Sequence, residues 1–310
     1  MSRPAEDTRS LSTITIHTLI LLLTTILTLA GNSLVCFAFY RNRRLRTITN
    51  FYVLSLALVD VVLGMISHPF NAIASGLRRW PFGANFCTFS GFLKFYFSGT
   101  STGILTLAAI NRYFCVLKPV LYRNLFTRKK TVVSILLVSI VTFTVSLSAT
   151  LVPPLVFQWH PYYLFCEVKM DLDVRIDRAL TSFLVAGFIV APTCSIFLCY
   201  GSVYCAIRRH NSAVIPSLEE ANGQGTVSAQ EIKAYRVLLA TVIAFFVCWS
   251  PAAIVRVLQR VVHITVPPFW QSLHTLAASC STWINPIIYG VINRAMRKEC
   301  LKLLRCRKEN

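Results

Sequence analysis

Acidic residues are scarce in this chain: 12 Asp and Glu stand against 31 Lys and Arg, a formal net charge of +19 over 310 residues. Charge of either sign is thin, at 14% of residues, while 55% are hydrophobic and the mean hydropathy is +0.60. A soluble domain of this length does not need so much apolar side chain. The basic residues fall in short clusters between apolar runs, which argues against a nucleic-acid partner and for a membrane protein with one basic face. No Cys-x-x-Cys occurs among the 11 cysteines, so most read as small apolar fillers. Paired carboxylates, a Ser-His-Asp set, a phosphate loop and zinc ligands are all missing, so no enzyme is expected. There are no inverted repeats or short paired spans, as a transporter or channel, the rival class, would carry. No cleavable signal peptide is evident: the first residues are polar and the apolar run after them is too long for a signal core. No Asn-x-Ser/Thr sequon exists, and no Ser or Thr follows Gly290.

What is there is a series of apolar runs. A bilayer span needs about 20 such residues. Seven are read, at roughly 12–40, 48–75, 84–117, 130–155, 176–208, 231–260 and 265–290. Basic clusters follow the first span (Arg41, Arg43, Arg44, Arg46), the third (Lys118, Arg123, Arg128, Lys129, Lys130), the fifth (Arg208, Arg209) and the seventh. Alternate loops and the tail therefore share one side. The positive-inside rule makes that side cytoplasmic and leaves the N-terminus outside, in a multi-pass protein of the plasma membrane. The expected organisation is an outer N-terminus at 1–11, a seven-helix domain at 12–290 and a cytoplasmic helix and tail at 291–310. In that tail Ile292, Met296, Cys300, Leu303 and Leu304 recur at helical spacing among basic residues, as in an interfacial helix with its apolar face toward lipid. Cys300 and Cys306 are candidates for palmitoylation. The fold class is thus an all-α seven-transmembrane bundle with a short C-terminal amphipathic helix.

Polar residues inside spans are costly and ask for a reason. The clearest are Asn32, Asp60, Lys94, Arg112, Glu231 and Asn285. At 1.5 Å of rise per residue, Lys94 lies about 10 Å below Cys87, and Arg112 about 27 Å below Lys94. Cys87, Lys94, Ser98 and Ser101 share one helix face by their spacing.

Several short motifs occur in order, each in its own span. They are Gly31-Asn32, Leu56-Ala57-Leu58-Val59-Asp60, Trp80-Pro81-Phe82-Gly83 before Cys87, Asn111-Arg112-Tyr113, Pro192 with Tyr200, Phe245 with Cys248-Trp249-Ser250-Pro251, and Asn285-Pro286-Ile287-Ile288-Tyr289. With these the chain resembles the rhodopsin-like, class A, G-protein-coupled receptors over nearly its whole length. The resemblance implies an extracellular ligand, a heterotrimeric G protein inside, and arrestin as a further partner. It implies a disulfide between Cys87 and Cys166. It makes Arg112 the G-protein contact, held in the inactive state by Glu231, with Asn111 where most of the family has Asp. Tyr113, Pro192, Tyr200, Phe245, Trp249, Pro251, Asn285, Pro286 and Tyr289 complete the implied activation switch. Asp60 is either a protonated buried acid or, with Ser101, Ser281 and Asn285, the ligand of a sodium ion, the one cofactor in view.

Lys94 stands where amine receptors carry an Asp, and it would repel an amine. With Arg256 it puts two cations over Phe95, Leu184, Phe188 and Ala252, beside Ser98, Thr275 and Ser279. That set suits an amphipathic anion. The alternative is that Lys94 reaches up to Glu167 or Asp171 and only shapes the pocket. The loop at 156–175, rich in aromatic residues, is either a lid or an interfacial belt. A retinal receptor needs a lysine where Ser279 stands, unless Lys94 takes that role.

Overall fold

A computed structural model describes residues 7–151, 156–169, 187, 190–213, 229–260, 262 and 264–306. The expected sites Leu184 and Phe188, the outer-loop acid Asp171, and the side chains of Glu231 and Cys306 lie outside the described residues.

The chain is a seven-helix bundle. Helix α1 (Leu11–Arg41) starts at Ser10, whose hydroxyl accepts from the Thr13 N–H at 3.2 Å and so satisfies one free helix-end donor. A 3-10 turn (Arg43–Leu45) leads to α2 (Ile48–Ile66), capped in the same way by Thr47. The second span was expected to be one helix, and it is broken. Pro69 lacks an N–H and restricts His68 before it, so the chain stops at Ser67 and restarts as α3 (His68–Gly76). Gly83, at φ +80°, turns the chain into the long α4 (Ala84–Leu117). A short α5 (Pro119–Leu125) and α6 (Arg128–Leu151) follow. The fifth span is described from residue 190, as α7 (Ala191–Ala213). Helices α8 (Ala229–Arg260) and α9 (Pro268–Ile292) carry Pro251 and Pro286 in their interiors. Among the described residues four of these stretches, including 48–76 taken together, are long and apolar enough to cross a membrane by length and composition alone.

Of the loop at 156–175, residues 156–169 are described, and they fold against the outer end of the bundle. Strands β1 (Val156–His160) and β2 (Phe165–Lys169) form an antiparallel hairpin with Trp159 opposite Cys166. Cys166 is disulfide-bonded to Cys87 on α4, with their Cα atoms 5.5 Å apart. Gly91, one turn below Cys87, has no side chain because the Phe157 ring and the Cys166 carbonyl occupy the place a Cβ would need. At the hairpin turn Leu164 adopts φ +57° and is fully buried beside Leu21 and Ala72. A bulky residue in the left-handed region is uncommon, and burial against three elements holds it there.

The inner half of the bundle packs around Tyr52, Leu56, Ile104, Leu105, Tyr200 and Leu238. The last helix, α10 (Arg294–Cys306), corrects one expectation. Met296 is fully buried, and with Cys300 and Leu303 it packs on Val35, Phe39 and Tyr289. This apolar face covers the end of the bundle, where α1 and α9 leave an apolar surface that it packs against.

Candidate functional site

Among the described residues the bundle encloses a cavity of about 50 Å³ with an apolar wall set with polar groups, lined by α1, α2, α3, α4, α8, α9 and the hairpin tip. At about 10–15 Å³ for each water-sized group, it has room for three or four of them. Lys94, Ser98 and Ser101 line it in succession down α4, as their spacing on one helix face requires. Thr275, Ser279, Ser281, Thr282 and Asn285 line it from α9, and Phe245 and Trp249 close it from α8.

At the outer end the Lys94 ammonium lies 3.0 Å from the centre of the Phe165 ring, a cation–π contact with β2. The second expected cation is elsewhere. Arg256 pairs with Glu167 of β2 and lies over the Tyr163 ring, and it is not a cavity wall. Glu167 thus has Arg256 as an ion-pair partner. Phe95 and Ala252 are half-buried and also stand outside the cavity wall.

At the inner end Asn285 Nδ2 donates to Asp60 Oδ2 at 3.3 Å. Ser281 Oγ accepts from Trp249 Nε1 at 3.2 Å and donates to the Ala278 carbonyl at 2.7 Å. Trp249 stacks on Phe245, with ring centres 5.7 Å apart. Asp60, Ser101, Ser281 and Asn285 thus bring four hard oxygen donors to one cavity, a set chemically suited to a small cation such as sodium.

Farther in, Arg112 is buried. Its Nε donates to Asn111 Oδ1 at 3.1 Å, and its Nη2 donates to the same oxygen and to Thr49 Oγ1, the latter at 2.9 Å. Tyr200 and Tyr289 are buried, Tyr113 is half-buried, and Pro192 lies in the first turn of α7.

Four polar cavity residues escaped the sequence reading: Ser67, His68, Asn71 and Thr282. The rule that polar residues in a span need a reason would have found the first three, in Ser67-His68-Pro69-Phe70-Asn71. Leu164 carries no such mark and reaches the cavity only through the hairpin. A second tie also went unseen: Arg9, nearly buried, pairs with Asp7 at 2.7 Å and donates to Ser75 on α3 at 3.3 Å. In Asp7, burial works to raise the carboxyl pKa, and the Arg9 bonds outweigh it and hold the group below its usual range.

Comparison with known proteins adds the following. The family model described as 7 transmembrane receptor (rhodopsin family) matches residues 31–289. The chain is 26% identical over 301 residues to neuropeptide FF receptor 2 of Mus musculus, covering 89% of this chain and 69% of that one. It is 28% identical over 284 residues to melanopsin-B of Xenopus laevis, covering 89% of this chain and 52% of that one. With the histamine H2 receptor of Canis lupus familiaris it shares 26% identity over 292 residues, 91% and 77% of the two chains. The crystal structure of squid rhodopsin superposes with a TM-score of 0.83 at 20% identity, covering 96% of this chain and 87% of that one.

Proposed function

The chain belongs to the rhodopsin family of seven-transmembrane receptors, and on that premise we propose that it is a plasma-membrane receptor whose extracellular ligand is an amphipathic anion held by Lys94. It is a multi-pass membrane protein and a G-protein-coupled receptor. The proposed topology has the N-terminus outside and residues 291–310 in the cytoplasm.

One observation carries the ligand reading. Lys94 lines the cavity, and the acid nearest its depth, Glu167, is already paired with Arg256. A cation inside a span is costly unless something answers it, and a ligand carboxylate does so with a charge-assisted hydrogen bond. Relatives that bind peptides, amines or retinal give no single ligand. The lysine argues against an amine, and Ser279 removes the usual place for a retinal-linking lysine.

For the inner end we propose a sodium ion held by Asp60, Ser101, Ser281 and Asn285. The ion would supply a charge that pins α2, α4 and α9 together. Arg112 is the proposed G-protein contact, with Pro251 and Pro286 as hinges and Trp249 and Phe245 relaying ligand binding to α8. Arrestin would engage Ser212, Ser217, Thr226 and Ser228 of the loop at 210–230 and not the tail, which has no hydroxyl residue.

The Lys94–Phe165 contact favours a second reading, in which the lysine only holds the hairpin. G-protein activation in transfected cells separates the two, with wild type and Lys94→Gln tested against anionic, neutral and cationic compounds and peptides. Activation of wild type by an anion, lost in the variant, supports the ligand role. Equal responses in both would make the lysine structural.

A further inference from the structure

The outer end of the cavity holds more polar capacity than Lys94 alone. Where Pro69 breaks the second span, the restarted helix turns His68 and Asn71 into the cavity wall opposite α4. His68 is 9% exposed and Asn71 is 5% exposed. His68 Nδ1 and Asn71 Oδ1 are shut off from solvent and have no hydrogen-bond partner. Buried polar atoms without partners are rare because each costs about 1–3 kcal/mol, so two beside an internal lysine call for a ligand.

The charges say which sign. Besides Lys94, the cavity wall holds one ionisable carboxyl group, Asp60, and it stands at the far end with Ser101, two turns and about 10 Å below Lys94 on α4. Among the described residues the Lys94 ammonium donates no side-chain hydrogen bond and lies against the ring of Phe165. The polar groups grouped with it are His68, Asn71, Ser67, Ser98, Thr275 and Ser279. An imidazole N–H can donate from Nδ1. The Asn71 amide now donates to Ser67 Oγ at 3.3 Å. Turned over by half a rotation, it would accept from that hydroxyl and present its NH₂ to the cavity, and the two orientations differ little in shape. Three donors then share the lining of one cavity.

We propose that Lys94, His68 and Asn71 build a subsite for a compact monovalent anion, either the carboxylate end of a ligand or a free halide. This deepens the ligand reading of Lys94 and rests on it for the carboxylate source. Size sets the limit: about 50 Å³ takes a carboxylate group or a halide with a water, and the buried tip Leu164 forms part of the wall.

The test uses the purified full-length receptor in lipid nanodiscs, thermally unfolded in equimolar sodium chloride, sodium acetate or sodium gluconate. Sodium is constant, so the Asp60 end is unchanged. Chloride, acetate or both should raise the midpoint over gluconate by roughly 5 °C, the scale expected at ~100 times the dissociation constant. Lys94→Gln and His68→Phe should each lose most of that shift. A shift with chloride alone assigns a resident halide, and with acetate alone the end of a carboxylate ligand. Identical midpoints in all three salts for wild type, or a full shift retained in both variants, overturn the subsite. If the salt effect holds while no anionic agonist acts through Lys94 in cells, the subsite stands and the ligand reading fails. If agonism depends on Lys94 without any salt effect, the ligand reading stands and the subsite fails.

Discussion

Arg256 of α8 is ion-paired with Glu167 of β2, so the helix that carries Trp249 and Pro251 is tied to the hairpin at the outer end of the bundle. Tyr163 OH donates to Gln259 Oε1 at 2.6 Å one turn away, and Ser272 of α9 donates to the Tyr162 carbonyl at 3.0 Å. Any outward swing of α8 must therefore strain or carry the hairpin.

Glu167→Gln should loosen that hairpin. Arg256 is about a third exposed, at 36%, so the pair contributes only on the order of 1 kcal/mol. Amide exchange across 156–169 is expected to speed up about five-fold, and the charge-swapped pair Glu167→Arg with Arg256→Glu should restore much of the protection. Exchange unchanged in the single variant would show that the disulfide alone holds the hairpin.

The Arg112 side chain rests on two neutral acceptors, Asn111 and Thr49. A carboxylate in place of the amide would bind the guanidinium about twice as strongly. Asn111→Asp should lower basal G-protein signalling several-fold at matched surface expression. Thr49→Val, which removes the contact from α2, should raise it. Equal basal signalling in wild type and Asn111→Asp counts against the latch.

The Asp60 end predicts a cation effect. Replacing N-methylglucamine with sodium, at constant chloride, should stabilise the wild-type receptor by a few degrees and leave Asp60→Asn unmoved. A sodium shift that persists in Asp60→Asn puts the ion elsewhere.

His160, in the hairpin outside the spans, predicts a pH effect. Burial pushes its imidazole below the usual histidine range; Glu167 opposes this and Arg256 adds to it. Its Nδ1 accepts from the Tyr163 N–H at 3.3 Å, a bond that protonation of that nitrogen would remove. The unfolded hairpin takes up the proton more readily than the folded one, so the contribution is present above about pH 6.5 and is lost as pH falls below it. Amide exchange at 156–169 should therefore accelerate between pH 7.5 and 5.5, and His160→Gln should flatten that dependence. The same acceleration in the variant would assign it to another group.

The sequence by itself determined the helical fold. Runs of about 20 apolar residues can satisfy their backbone in a bilayer only as helices, and the clustered Arg and Lys carry the proposed orientation. Helix spacing also put Lys94, Ser98 and Ser101 on one face, because that relationship is local. Tertiary structure decided what sequence periodicity cannot encode: which partner each charge takes. Arg256 took Glu167 of the hairpin as its partner, and Lys94 came to lie on the ring of Phe165. Met296 looked fit for lipid until the ends of α1 and α9 offered a closer apolar surface. His68 and Asn71 joined the cavity only because Pro69 broke the second span and turned the restarted helix. That break is written in one residue, but its direction depends on what packs against it.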